Sequence, residues 1–177
     1  MIANKTYNNV INTLKNIGDK HDQIATVTTG DIFDINLEKM EKFALMHINP
    51  VNVTTDDFGL TYNFQIFIAD LVSEKSDWTE DNFQSANNLS NEQEVLSQCL
   101  QISVDIISML RHSEHQSTQN VDDINAPVYF ADGQQTLEPF TERFDNLLTG
   151  WVFSLSVLVA NNFDACIIPA QAGGSGE

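Results

Sequence analysis

The run LLTGWVFSLSVLVANN, Leu147 to Asn162, constrains the fold of this chain more than any other stretch. It is the densest apolar segment, and a membrane span, a buried helix or a strand would each account for its composition. A spanning helix needs about 20 predominantly apolar residues; this run is shorter and includes Ser154 and Ser156. Trp151, Phe153, Leu155, Val157 and Val159 fall on alternate positions, with Val152, Ser154, Ser156, Leu158 and Ala160 between them. Successive strand residues point to opposite faces of a sheet. The run is therefore predicted to be a long strand with a large, wholly apolar face on a core. Turn chemistry opens it at Thr149-Gly150 and closes it at Asn161-Asn162.

A second segment has the same period. In LTYNFQIFIADL, Leu60, Tyr62, Phe64, Ile66 and Ile68 alternate with Thr61, Asn63, Gln65, Phe67 and Ala69. One side of this strand is expected to meet helices, the other solvent or another subunit. Before it, FALMHINPVNV reads as a strand interrupted by Pro50, which suggests an edge or a bulge, and DDFG at 56–59 reads as the connecting hairpin turn. Two helices are expected on the apolar face. Tyr7, Val10, Ile11, Leu14 and Ile17 recur at helical spacing within residues 3–17, with Gly18 as the stop. Ser90 to Gln93 matches a capping box and opens a helix running to about Arg111. Its stripe of Val95, Cys99, Ile102, Ile106 and Met109 is flanked by Leu96, Leu100, Ile107 and Leu110. Residues 23–35 read as an extended arm or irregular strand, 37–42 as a polar turn or single helical turn, PVYFA as a short strand, and EPFTERFDNLL as a turn or short helix. Phe163 to Ile168 continue the last strand after a bulge.

The fold class is accordingly α+β: a mainly antiparallel sheet with an N-terminal helix and one long helix packed on one face. The length of 177 residues and 42% hydrophobic content suit one domain, residues 1–169, followed by a flexible tail at 170–177. The opening MIANKTYNNV starts an amphipathic pattern rather than an apolar signal core, so an unexported chain without a membrane partner is expected.

Charge narrows the function. The formal net charge is −17, and after residue 43 the only basic side chains are Lys75, Arg111 and Arg143. A basic nucleic-acid footprint is missing, so no sequence-specific nucleic-acid binding is expected. Self-repulsion for solubility accounts for the charge; a surface that must not stick to DNA is the sharper reading. Little else points to chemistry. His112 and His115 have a helical metal-ligand spacing, with Glu114 between them, but they fall in a polar segment without a third ligand and read as solvated. His47 shares a strand face with Phe43 and Leu45 and reads as a satisfied sheet histidine. Asp56-Asp57, Asp122-Asp123 and Glu138/Glu142 read as solvated acids. Cys99 and Cys166 stand apart from any CxxC or Cys/His cluster and read as buried, inert thiols. No nucleophile elbow, phosphate loop, dinucleotide fingerprint or zincin motif occurs. No enzymatic activity, no cofactor and no metal are expected.

Surplus apolar surface is the remaining feature. Trp78 and Phe83 stand in the polar stretch SEKSDWTEDNFQSANN, and either that loop folds back over its own sheet or the two rings anchor in a neighbouring subunit. With Phe58 they are the expected subunit-interface residues.

Three stretches together resemble the neck and tail-terminator proteins of tailed bacteriophages. They are TYNNVINTLKNIG; the strand–turn–strand FALMHINPVNVTTDDFGLTYNFQIFIADL; and NEQEVLSQCLQISVDIISML with LEPFTERFDNLLTGWVFSLSVLVANNFDACIIP. The resemblance is one of element order over most of the chain. Longer segments at 73–88 and 112–125 and the ending GGSGE depart from it, which leaves tail terminator and head-to-tail connector both open. It implies a structural virion protein, assembled in the host cytoplasm, that forms a homo-oligomeric ring of six-fold or twelve-fold order against neighbouring neck, portal or tail proteins. DNA would pass through that ring, and Asp56, Asp57, Asp122 and Asp123 are then the candidates for an acidic rim or lumen. The alternative is a monomeric α+β protein-binding module without catalytic activity; a small hydrolase with an unrecognised site is a third reading.

Overall fold

The computed structural model describes residues 7–31, 42–55, 59–72, 91–112, 129–132, 134–143 and 148–160. The elements are α1 (Tyr7–Asp19), β1 (Thr26–Thr29), β2 (Leu45–Thr55), β3 (Gly59–Leu71), α2 (Glu92–His112), β4 (Tyr129–Asp132), β5 (Leu137–Arg143) and β6 (Leu148–Ala160). The strands form one sheet in the order β1-β2-β3-β6-β4, with β5 also paired to β6. β1 runs parallel to β2, and every other pairing is antiparallel. The fold is α+β, as expected.

The two alternating runs pair directly. Phe64 lies opposite Leu155, Ile66 opposite Phe153 and Ile68 opposite Trp151. Their large residues share one face with Met46 and Ile48 of β2. Val10, Leu14 and Ile17 of α1 cover that face, with Val95, Cys99, Ile102, Ile106 and Leu110 of α2. Both helices therefore lie on the same side. Trp151 keeps its indole N–H satisfied by donating to the Leu96 carbonyl at 2.8 Å, which ties the first turns of α2 to β6.

The opposite face divides in two. At one end Phe67, Ala69, Phe140 and Leu148 form a second, smaller cluster with Phe43 and Val152 against it; Phe67 and Phe140 meet edge-on, with ring centroids 6.0 Å apart. At the other end the face is amide and hydroxyl. Asn63 Nδ2 donates to Asn52 Oδ1 at 2.7 Å, Ser156 Oγ donates to Asn63 Oδ1 at 2.6 Å, and Asn49 Nδ2 donates to Gln65 Oε1 at 3.2 Å. These bonds cross β2, β3 and β6 and satisfy the polar row without charge.

Four expectations need correction. Gly18 does not stop the first helix, which continues to Asp19. Its role is one of size: a Cβ there would fall 2.7 Å from Met46 Sδ and 2.8 Å from a Val27 methyl. The α2 N-cap is Asn91, whose carbonyl accepts the Val95 N–H at 3.1 Å, one residue later than a cap at Ser90; Glu92 and Glu94 then occupy the first turn, where the helix dipole favours acids. Residues 137–143 form a strand rather than a turn or short helix. The spacing of Leu137 and Phe140 suits a helix, but pairing with β6 supplies backbone bonds that a short isolated helix could not match. Glu138 is thus an exposed strand residue. Finally, Pro50 does not end β2, which continues to Thr55; the bulge expected at the proline is present, between Pro50 and Asn52.

The chemistry of Cys99 agrees with its position. It is fully buried, and burial, then the charge of Asp70, pushes its thiol up to about 12. A Cys166→Ser variant should leave a native protein that resists a thiol reagent at mildly alkaline pH and titrates one thiol once denatured. Rapid native labelling would show that α2 does not stay packed.

Candidate assembly surface

Two features of β2 stand out, and both lie on the same edge. β1 covers only the first part of that edge. The register runs from Thr26 opposite Leu45 to Thr29 opposite Ile48, and the Gly30 N–H donates to the Ile48 carbonyl at 3.1 Å. Beyond Ile48, no strand among the described residues lies alongside β2 on that side. Pro50 and its bulge mark the transition, since proline cannot donate to a ladder. From Val51 to Thr55 every residue is exposed, Val51 at 53% and Val53 at 47%.

An open edge is a template for another strand, and natural edges are often blunted by lysine or other charges. Here β2, β3 as far as Ala69, and β6 contain no Asp, Glu, Lys or Arg at all. In a chain of net charge −17, these strands are a neutral stretch. Acidic surfaces repel one another within about 8 Å at physiological salt, whereas the edge offers backbone donors and acceptors and valine side chains with no like charge opposite.

The second feature is the histidine that holds β1. His47 is 2% exposed, between β1 and Phe67, whose ring centroid lies 6.1 Å away. Its Nε2 lies 3.1 Å from the Gly30 carbonyl oxygen and its Nδ1 lies 2.8 Å from Thr28 Oγ1. A carbonyl only accepts, so Nε2 carries the hydrogen, and Nδ1 accepts from the Thr28 hydroxyl. This is the arrangement of the neutral ring, the form that burial favours. Burial lowers its pKa below the ordinary 6.5; the Gly30 carbonyl and the charge of Asp31 pull the other way. Gly30 turns its carbonyl to the ring at φ +131°, a conformation that glycine adopts without strain. His47 is thus a satisfied sheet histidine, as its alternation suggests. A separate histidine, His21, places Nε2 3.5 Å from Asp105 and joins the end of α1 to α2.

Of the expected interface and rim residues, Phe58, Asp56 and Asp57 lie in the β2–β3 connection, outside the described residues, as do Trp78, Phe83, Asp122 and Asp123. His112 is the last residue of α2; His115, Glu114, Cys166 and the tail at 170–177 also lie outside the described residues. Sequence reading took Pro50 as the mark of an edge or a bulge but did not single out Val51–Thr55 as the open part of that edge. The signal for it was present: an uncharged VNVTT following a proline inside a strand. Among the described residues no helix is long and apolar enough to cross a membrane, and no three metal-ligating side chains cluster.

No family model matches the chain, and comparison with curated proteins gives no match.

Proposed function

We propose that this chain is a structural assembly subunit whose copies join through the β2 edge into a closed ring, in the neck or tail of a tailed phage, around a channel for DNA. The observation that carries the assembly reading is the exposed, uncharged Val51–Thr55 edge. The element order shared with neck and tail-terminator proteins supports the phage setting. In a ring the edge of one copy meets a different surface on the next, a heterologous contact, which closes where the rotation between copies closes. Val51–Thr55 is followed in the sequence by Asp56-Asp57, the candidate acidic rim or lumen. DNA carries about one negative charge per 1.7 Å of duplex, and an acidic or neutral lining would let it pass without phosphate contacts.

Sedimentation of the full chain tests this. The wild type is expected as a closed oligomer that strengthens as salt rises, since screening weakens repulsion between copies. Val53→Lys should yield monomer while leaving the melting temperature within about 2 °C, the change expected for an exposed site. A wild type that stays monomeric, or that stops at two-fold dimers, would overturn the ring and favour a monomeric binding module.

A further inference from the structure

β1 and the open edge occupy the same side of β2. We propose that β1 is a releasable cover on that edge: a proton on His47 undoes the clasp, frees Leu45–Ile48, and makes one continuous edge with Val51–Thr55.

The geometry makes His47 central to the clasp. β1 is a parallel strand of 4 residues, too short to hold by backbone pairing alone, since isolated short strand pairs are marginal. Two side-chain bonds reinforce it. One is the Thr28–His47–Gly30 chain; the other runs from Thr26 Oγ1 to the Lys42 carbonyl at 2.9 Å. Only the first can titrate. Protonation turns Nδ1 from acceptor to donor, so the Thr28 hydroxyl must swing its hydrogen out of the bond and accept instead, losing the acceptor it had for that hydrogen. It also places a charge where burial leaves the ring almost without water.

The surroundings offer little compensation. β1 itself has no charged residue, β2 has none, and the β3 side chain facing the ring is Phe67. Asp70 of β3 shares the helix face of the sheet, opposite to His47. Among the described residues the charged group acting on the ring is Asp31, just beyond Gly30, and its effect is smaller than that of burial. A ring whose pKa is lowered in the closed state stabilises closure fully above the free value of 6.5. That contribution is lost as pH falls from there through the closed-state value. Acid should therefore release β1.

The release of β1 stands without the assembly reading; only its consequence for pairing with another copy rests on it. Hydrogen exchange on the Val53→Lys chain separates the two, since it reads the clasp whether or not copies associate. Expressed as protection factors, the amides of β1 and Gly30 should fall between roughly pH 7.5 and pH 5.5 by up to about tenfold, the ceiling that a free value of 6.5 sets over that interval. Those of Ile66 and Phe153 should hold. His47→Gln keeps a donor for the Gly30 carbonyl and removes the titration, so protection there should not change with pH. Unchanged β1 protection in the parent chain, an equal loss in His47→Gln, or a uniform loss across the sheet would each overturn the clasp. Should His47→Gln fail to fold, the contrast between β1 and the β3–β6 pair in the parent chain still decides.

Discussion

Gly150→Ala should be the most damaging single-methyl change in this protein. Gly150 lies in β6 between Ala69 of β3 and Phe140 of β5. A Cβ there would fall 1.9 Å from the Ile68 carbonyl oxygen and 2.8 Å from the Ala69 Cα. Both are backbone atoms of a paired strand, so no rotamer change relieves the clash; β3 and β6 must move apart. Overpacking of a core typically costs about 1–3 kcal/mol, and an unyielding backbone puts this site at or above the top of that range. For a chain of this size that is a fall in melting temperature of roughly 6–12 °C, or failure to fold. Ser154→Ala, on the exposed face of the same strand, should stay within about 0.5 kcal/mol. Urea unfolding of the two variants side by side is the measurement, and a Gly150→Ala midpoint near the wild type would refute the close approach.

Phe153→Ala should have an effect at least as large. Phe153 is 1% exposed, opposite Ile66, in the main core beneath the helices. Removing a buried ring leaves a cavity that the surrounding helices and strands fill only in part, at about 3–5 kcal/mol. Phe67 is also buried, but it belongs to the smaller cluster on the opposite face, with Phe140 as its ring partner. Phe67→Ala should therefore cost less. Equal losses in chemical denaturation would mean that the second cluster carries as much of the stability as the first.

These two expectations draw on different levels of information. The Phe153 side of β6 is legible from alternation alone, because a period of two admits only one face and a wholly apolar face must be buried. The same holds for Tyr62 to Ile68 and for the Val95–Ile106 stripe of α2. The need for glycine at 150 is different. Sequence reading takes Thr149-Gly150 as a turn into the strand, whereas the structure places Gly150 within it, against the backbone of β3. That demand arises only when two strands are brought into register.

The candidate surface divides in the same way. The uncharged character of β2, β3 and β6, the proline within β2 and the large acidic excess were all present in the sequence. Together they determined an α+β chain with neutral strands in an acidic surround. Tertiary structure alone decided that β1 adds in parallel to β2 and stops at Thr29, leaving Val51–Thr55 open. It also decided that Leu137–Arg143 joins the sheet, and that His47 meets Thr28 and Gly30 across 19 and 17 residues of chain. Periodicity reports which side of an element is buried, because each residue's direction follows from local backbone geometry. It carries no information on which strand lies next to which edge, since that depends on contacts between residues far apart in the chain.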